Sequence, residues 1–296
     1  MKKSLILRIL FLAFAGISCG RFGNKPSNLN PKQRIVLISK QYCEIIYALG
    51  AQENIVAVDV SSTYPPEATK LPTVGYHRAL SIEGLLSAKP DLIITTGWKE
   101  LGPEHVVRQI QELNIPTKMF DTKATDIPST EALIREMGSY FGKESQADSL
   151  CRKLETDMAL ALENATQYST KPKVLIIHYG RATNAYLVVS KKSIAGKMIE
   201  WAGGTMAITD SLTMRQLSAE VVTQYDPDVI LLTDFGFDRL DKPETIKELP
   251  GVSITKAARN NRIYRVEAHD LIYLGPRTGE NVINLQKLIH EEEPAS

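Results

Sequence analysis

The stretch Leu80–Trp98, LSIEGLLSAKPDLIITTGW, occurs a second time as Leu217–Phe235, LSAEVVTQYDPDVILLTDF. Both copies contain Leu-Ser-x-Glu, six further residues, Pro-Asp and an apolar run, and they align without a gap. A short-period repeat array would show many copies at a regular spacing, whereas here each half of a 296-residue chain holds one. The duplication therefore predicts two lobes of similar design.

Each copy predicts a helix followed by a strand. Ser81 and Ser218 are placed to cap the helix N-termini. Glu83 and Glu220 follow in the first turn, where a carboxylate faces the positive end of the helix dipole. Proline then ends the helix, and the apolar runs after it are typical of parallel strands covered on both faces. First-turn glutamates are common for the dipole alone, but their presence in both copies favours a role shared by two related surfaces.

Residues 1–19 predict an export signal, because a basic start precedes an apolar stretch too short to span a bilayer. Within it, Gly16–Gly20 (GISCG) resembles a bacterial lipoprotein signal, which implies acylation of Cys19; ordinary signal cleavage is the alternative. Residues 20–32 are rich in Asn, Pro, Lys and Gly and predict a flexible tether. We expect an exported protein, lipid-anchored at the periplasmic face of the cell membrane.

The remaining composition is that of a globular body, with 43% apolar and 23% charged residues in the whole chain. Removing Lys2, Lys3 and Arg8 with the signal changes the formal charge from +1 to −2, so nothing favours nucleic acid as a partner. Cys43 and Cys151 could pair in an exported chain, but each lies in an apolar helical pattern and is predicted to be a buried free thiol.

Strand and helix patterns alternate through the body, which predicts the α/β class. We expect an N-terminal lobe at residues 33–142, a connecting helix at 143–169 and a C-terminal lobe at 170–296. Glu144–Tyr168 has helical periodicity without Pro or Gly, so it predicts a long rigid connector. The fold predicted is two Rossmann-like lobes with parallel central sheets, joined by this helix, with the ligand in the cleft between them.

These features resemble the substrate-binding proteins of ABC importers for haem, cobalamin and iron–siderophores, over about residues 33–290. Residues 74–84 (VGYHRALSIEG) are similar to the Gly-Tyr-x-Arg-x-Leu-x-x-Glu-Gly signature of periplasmic haem-binding proteins. Leu274–Thr278 (LGPRT) resembles the Gly-Pro-Arg-Thr segment of the same family. The resemblance implies a carrier, not an enzyme, that captures haem as transported cargo and delivers it to a permease dimer with its ATPase subunits.

By the same resemblance, Tyr76 is the axial ligand of ferric haem, Arg78 flanks it, and Glu83 and Glu220 dock on the permease. The chemistry agrees, since a phenolate is a hard anionic donor that suits ferric iron and tyrosine is a known axial haem ligand. A free phenol titrates near ~10, so ligation at neutral pH needs the metal and a nearby cation such as Arg78.

Further pocket residues are predicted, and for each a satisfied loop or core position is the alternative interpretation. Candidates for a second axial ligand or for the cleft lining are His77, His178, Tyr179, His269 and Tyr273. Arg181 and Arg277 are candidates for the haem propionates, because a guanidinium pairs bidentately with a carboxylate. Trp98 could stack on the macrocycle or anchor the lobe core.

Three alternatives remain open. Cobalamin or an iron–siderophore would fit the same fold. A zinc or manganese carrier would need His and carboxylate ligands to converge. The spacing of His77, His178 and His269 would suit that, but no Asp or Glu of the second lobe is marked out. A tetrapyrrole metal chelatase would be an enzyme of comparable architecture, yet the export signal argues against it, and the chain has no nucleophile elbow, Gly-rich phosphate loop or CxxC.

Overall fold

The computed structural model describes Asn30 and residues 32–180, 183–240 and 242–290. In the first half, strands and helices alternate along the chain. The strands are Ile35–Ile38 (β1), Ile55–Val58 (β2), Gly75–Tyr76 (β3), Ala79–Leu80 (β4), Leu92–Thr95 (β5) and Thr117–Lys118 (β6). The helices are Lys40–Ala48 (α1), Ile82–Ala88 (α2), Glu104–Glu112 (α3), Ile127–Phe141 (α4) and Glu144–Ala165 (α5).

The second half continues the alternation with more short elements. Its strands are Lys173–Gly180 (β7), Ala185–Val189 (β8), Thr205–Met206 (β9), Met214–Gln216 (β10), Val229–Thr233 (β11) and Ile263–Val266 (β12). Its helices are Ile194–Trp201 (α6), Ala219–Tyr225 (α7), Asp234–Phe237 (α8), Lys256–Arg259 (α9), Ala268–Ile272 (α10) and Thr278–His290 (α11).

Each half contains a central sheet, and the predicted α/β class is confirmed. In the N-terminal lobe the strand order is β2-β1-β5-β6, with every pair parallel. In the C-terminal lobe the order is β10-β8-β7-β11-β12, with β9 beside β7. Here β8 pairs antiparallel with both β7 and β10, so this sheet is mixed. The sequence pattern does not predict the reversed strand β8.

The duplicated stretch forms the same structure in both lobes. Ser81 Oγ accepts a hydrogen bond from the amide of Gly84, and Ser218 Oγ accepts one from that of Val221, so both N-caps are confirmed. The two Asp residues of the Pro-Asp pairs also have one role. Each Asp amide donates to the backbone carbonyl of a residue at, or just before, the start of the neighbouring strand. Each Asp carboxylate accepts from the backbone amide of that same residue. The pairs are Asp91 with Arg34 and Asp228 with Lys173.

The connecting helix α5 has 22 residues and ends at Ala165, three residues before the predicted end. Its buried face packs on α4 on one side and on α11 on the other. The same cluster of buried apolar side chains contains Leu37 of β1, Leu154 of α5 and Leu231 of β11, so the lobes share a core. Cys43 and Cys151 are buried free thiols, as predicted. The lobe limits given above stay a prediction.

Candidate functional site

The β3–β4 hairpin carries Tyr76 on its first strand and His77-Arg78 as its two-residue loop. Gly75 has φ +98°, and a Cβ there would lie 2.9 Å from the amide nitrogen of Ser81, so only glycine fits. Arg78 has φ +69°, in the left-handed region that costs a non-glycine residue energy. Such a conformation persists only where surrounding contacts maintain it.

Glu100 supplies those contacts to Arg78. The guanidinium donates to both carboxylate oxygens, at 3.0 Å from Nε to Oε2 and 3.2 Å from Nη2 to Oε1. The amide of Arg78 also donates to the Glu100 carbonyl at 2.7 Å. The hydrogen bond with Glu100 raises the pKa of Arg78, so the side chain is a permanent cation. In this structure, however, its charge is shared with a carboxylate.

His77 is fixed through one ring nitrogen. Its Nδ1 lies 3.0 Å from Ser61 Oγ and 3.4 Å from Asp59 Oδ2, and Ser61 Oγ donates to the same Asp59 oxygen. Ser62 Oγ donates to the other carboxylate oxygen at 2.7 Å. Burial alone would raise the pKa of the fully buried Asp59, but the hydrogen bonds from His77, Ser61 and Ser62 outweigh it and hold that pKa below its usual range. An ionised carboxylate therefore orients the His77 ring.

A cleft of about 870 Å³ lies between the lobes, within the usual range of small-molecule sites. One wall consists of N-terminal lobe residues that include His77, Arg78 and Trp98, and the other includes Ile194 and residues 272–274 of the C-terminal lobe. Tyr76 is half-buried and lies beside this lining rather than in it, with its ring centroid 4.2 Å from that of His77. The charged lining residues are Lys40, Arg78, Lys99, Lys123, Glu100 and Asp121. Cations thus outnumber acids by two, which suits an anionic ligand.

Lys40 and Tyr273 meet across this cleft. Lys40 is only 5% exposed, and its Nζ lies 4.8 Å from the ring centroid of Tyr273 and 5.4 Å from that of Phe235, both in the C-terminal lobe. Burial raises the pKa of Tyr273 to about 12, so this residue is a neutral phenol at neutral pH. Tyr273 is therefore a hydrogen-bonding and stacking group rather than a phenolate.

Trp98, predicted to stack on a ligand, lines the cleft and is 38% exposed. Such exposure of a large ring inside a cleft suits a planar apolar ligand. Tyr179 is buried and lines a second pocket of about 560 Å³, where the Arg239 guanidinium lies 4.3 Å from its ring centroid. Phe235 lines that pocket too, and its contact with Lys40 makes the two cavities neighbours.

His178 stands on the strand next to Tyr179, and its Nδ1 lies 3.0 Å from Thr233 Oγ1. Burial, together with the nearby Lys40 charge, lowers the pKa of His178, so its ring is neutral at neutral pH. The structure does not place it among the residues lining the cleft or the second pocket.

Arg277 and His269 lie away from the cleft lining in which the sequence predicted them. His269 Nε2 pairs with the carboxylate of Glu44, a buried residue of the N-terminal lobe. Arg277 pairs with the same carboxylate at 3.3 Å and with Asp270 at 2.6 Å, and its guanidinium lies over the ring of Tyr64, 3.6 Å from the centroid. These two side chains join the lobes to each other instead of lining the cleft. We do not retain Arg277 as a propionate partner, because its guanidinium is already paired with the carboxylates of Glu44 and Asp270.

The remaining predicted residues fall into two groups. Arg181 and Cys19 lie outside the residues that the structure describes. Glu83 and Glu220 are exposed in the first turns of α2 and α7, and within the described part of the chain neither forms an ion pair. Both carboxylates are thus available to an external partner.

Sequence reasoning missed Asp59, Lys40 and Glu100. A signal for them was present, since Lys40 and Asp59 follow β1 and β2 closely and Glu100 comes five residues after β5. The carboxyl ends of parallel strands meet at one edge of a sheet, where ligand sites of open α/β sheets form. The polar pattern Asp59-Val60-Ser61-Ser62 at such an end was the clearest pointer.

The described residues contain no group of three or more His, Cys, Asp or Glu side chains arranged to hold a metal ion. They also contain no helix that is both long and apolar enough to cross a bilayer.

Comparison with known proteins gives a consistent family. Residues 35–269 match the family model described as periplasmic binding protein. Among solved structures, the apo periplasmic heme-binding protein RhuT from Roseiflexus sp. RS-1 has a TM-score of 0.78 and 33% identity, over 88% of this chain and 98% of that one. The periplasmic heme-binding protein BhuT in complex with two hemes has a TM-score of 0.75 and 29% identity, over 87% and 97%.

Comparison of sequences alone gives a different ligand name. The vitamin B12-binding protein of Pectobacterium atrosepticum is 28% identical over 205 residues, which is 68% of this chain and 71% of that protein. The names of these relatives therefore give two different tetrapyrrole-like ligands, haem and vitamin B12.

Proposed function

Since this chain belongs to the periplasmic binding protein family and is the substrate-binding component of an ABC importer, not an enzyme, we propose that its cargo is haem. The observation that carries the proposal is the hairpin tip, where Tyr76, His77 and Arg78 stand together beside an interlobe cleft of about 870 Å³. Tyr76 offers the hard oxygen donor that ferric iron favours.

The charge of the cleft supports haem over a neutral ligand. Haem carries two propionates, and the lining of this cleft has more cations than acids. Lys40 is the deepest of these cations and is enclosed by Tyr273 and Phe235. We assign it to a propionate, because opposite charges attract more strongly in a buried setting than in water. Trp98 covers the macrocycle face by stacking.

Capture then needs little rearrangement of the protein. The two lobes share a core through α5 and are joined by the pairs that the buried Glu44 carboxylate forms with His269 and Arg277. Haem enters between the lobes, Tyr76 ligates its iron, and the lobe separation changes only slightly. Arg78 keeps its contact with Glu100 or turns to the phenolate, and either position places a cation near the ligating oxygen.

Handover uses a different surface. Glu83 and Glu220 stand at equivalent positions of the two lobes, exposed and without ion pairs among the described residues. We assign them to basic residues of the permease dimer, one glutamate for each half. Acylation of Cys19 would hold the carrier at the periplasmic membrane face, near its permease and ATPase partners.

Cobalamin is the second candidate, and the vitamin B12-binding relatives favour it. A competition experiment separates the two ligands. The purified protein is titrated with ferric haem and with cyanocobalamin, each followed by its visible spectrum and by calorimetry. Haem saturation at a lower concentration than cobalamin supports the proposal. Saturation by cobalamin with no haem-dependent change would replace haem by a corrinoid in the same cleft.

A further inference from the structure

His77 lies in the hairpin loop, and the contacts of its ring are typical of a metal-binding histidine. Its Nδ1 faces Ser61 Oγ and the buried carboxylate of Asp59, at 3.0 and 3.4 Å. Among the described residues these are its hydrogen-bond and ion-pair partners, and both are on Nδ1. Histidines that bind metals usually donate one ring N–H to a carboxylate, which fixes the tautomer and leaves the other nitrogen as a basic donor. In His77 that other nitrogen is Nε2.

The position of His77 agrees with this role. Its side chain lines the interlobe cleft, and its ring lies 4.2 Å from the Tyr76 ring, centroid to centroid. A tyrosine ring and a histidine ring therefore lie in contact at one hairpin tip. They differ in the iron they prefer, because a phenolate is a hard anion suited to Fe(III), whereas a neutral imidazole is the proximal donor of haem proteins that work with Fe(II).

We propose that the hairpin tip holds two alternative iron ligands, Tyr76 for ferric haem and His77 Nε2 for ferrous haem. This inference rests on the proposed haem-carrier function. It concerns ligand choice and not electron transfer, so haem arrives already oxidised or reduced. When haem arrives in the ferrous state, His77 Nε2 would bind the iron in place of the Tyr76 oxygen. The carrier then keeps its cargo in either oxidation state.

The other histidines near the cleft lack this arrangement. His178 Nδ1 meets the hydroxyl of Thr233, a neutral partner, and His178 does not line the cleft. His269 uses Nε2 for the buried carboxylate of Glu44. His77 alone among these three combines a carboxylate on one nitrogen with a place in the cleft lining.

The test compares ferric and dithionite-reduced haem complexes of the purified protein by visible absorption and resonance Raman spectroscopy. The wild type is measured beside His77→Ala, Tyr76→Phe and Ser61→Ala. His105→Ala is the matched control, because His105 is an exposed histidine on α3 of the same lobe. Ser61→Ala perturbs the Nδ1 contact without removing the imidazole, so it tests the orienting network while keeping the ligand.

We expect the reduced wild type to show an iron–imidazole stretching band. In His77→Ala the ferric phenolate spectrum stays, while the reduced complex loses that band and binds haem at least about tenfold more weakly. Added imidazole should restore the band, and Ser61→Ala should shift it. An unchanged reduced spectrum and affinity in His77→Ala would overturn this inference and leave the haem carrier standing. A wild type without saturable haem binding in either oxidation state would overturn both.

Discussion

The two copies of the duplicated stretch have the same structure, but the segments that precede them do not. From Leu80 and from Leu217 onward, each copy has a serine-capped helix with an exposed glutamate, then a left-handed residue before Pro-Asp. Before Leu80 the chain forms the β3–β4 hairpin, whose loop lines the cleft. Before Leu217 it forms β10, an edge strand of the central sheet.

Two arginines make this difference specific. Arg78 and Arg215 each stand two residues before the shared leucine. Arg78 is held by Glu100 in a left-handed loop conformation at the cleft, whereas Arg215 lies in β10 and pairs with Asp210 at 3.0 Å. Under the proposed function, the part that has one structure in both lobes would meet the permease dimer, and the hairpin that precedes the first copy alone would meet the ligand.

The largest expected effect concerns the exposed first-turn glutamate that each copy contains. Changing Glu83 and Glu220 to alanine together should abolish haem uptake through the permease, because each copy supplies one anchor. Haem affinity of the purified double variant should equal that of the wild type, since both carboxylates are exposed and lie outside the cleft lining. The measurements are whole-cell haem uptake and a spectral titration. Normal uptake, or lost haem binding, would contradict the assignment of these two glutamates to the permease and of the cleft to haem.

The contact between the halves gives the next largest effect. Burial alone would raise the pKa of Glu44, but the hydrogen bond and charge of His269 and the charge of Arg277 lower it. Glu44→Gln should cost about 3 kcal/mol at neutral pH, because it removes the buried charge with which both His269 and Arg277 pair. Equilibrium urea unfolding measures this cost.

The pH dependence of that cost follows from its sign. A lowered carboxyl pKa stabilises the folded state above the ordinary value of 4.5, and this stabilisation is lost as the pH falls through the lowered value. The stability difference between wild type and Glu44→Gln should therefore shrink as the pH falls below 4.5. A difference that does not change between neutral and acidic pH would show that the charge of Glu44 does not join the halves.

Gly75 tests the segment in which the copies differ. Gly75→Ala introduces a Cβ 2.9 Å from the Ser81 amide nitrogen at φ +98°, so the hairpin must shift. We expect a cost of about 2 kcal/mol in stability and about a tenfold loss of haem affinity. Gly50→Ala is the matched control, with φ +66° but open space around its Cβ, and it should leave haem affinity unchanged. Equal losses of haem affinity in both variants would show that the hairpin does not contribute to haem binding.

The smallest effect tests the equivalence of the copies. Asp91→Ala and Asp228→Ala each remove a carboxylate that accepts a hydrogen bond of 2.9 Å from a backbone amide beside the neighbouring strand. Each should lower the free energy of unfolding by about 1 kcal/mol, with haem affinity unchanged. Urea unfolding of the two single variants measures both values. Clearly unequal costs would mean that the copies resemble each other in shape but not in energetics.

The sequence predicted the features that depend on local rules. The caps at Ser81 and Ser218, the long helix α5 and the buried thiols follow from short-range patterns of polarity and capping. The antiparallel strand β8 was missed, because its pairing with β7 depends on tertiary contacts that no period in the sequence reveals. Arg277 is a propionate candidate by the chemistry of its guanidinium, and the sequence does not show which carboxylate it pairs with. Its partner Glu44 is 233 residues away.

The most direct test of the central claim is a visible-absorption titration of the purified protein with ferric haem, beside Tyr76→Phe. The substitution keeps the ring and removes only the ligating oxygen. We expect a saturable ferric phenolate spectrum in the wild type, absent from the variant. A phenolate spectrum that persists in Tyr76→Phe would contradict Tyr76 as the ligand, and a wild type without any saturable change would contradict haem as the cargo.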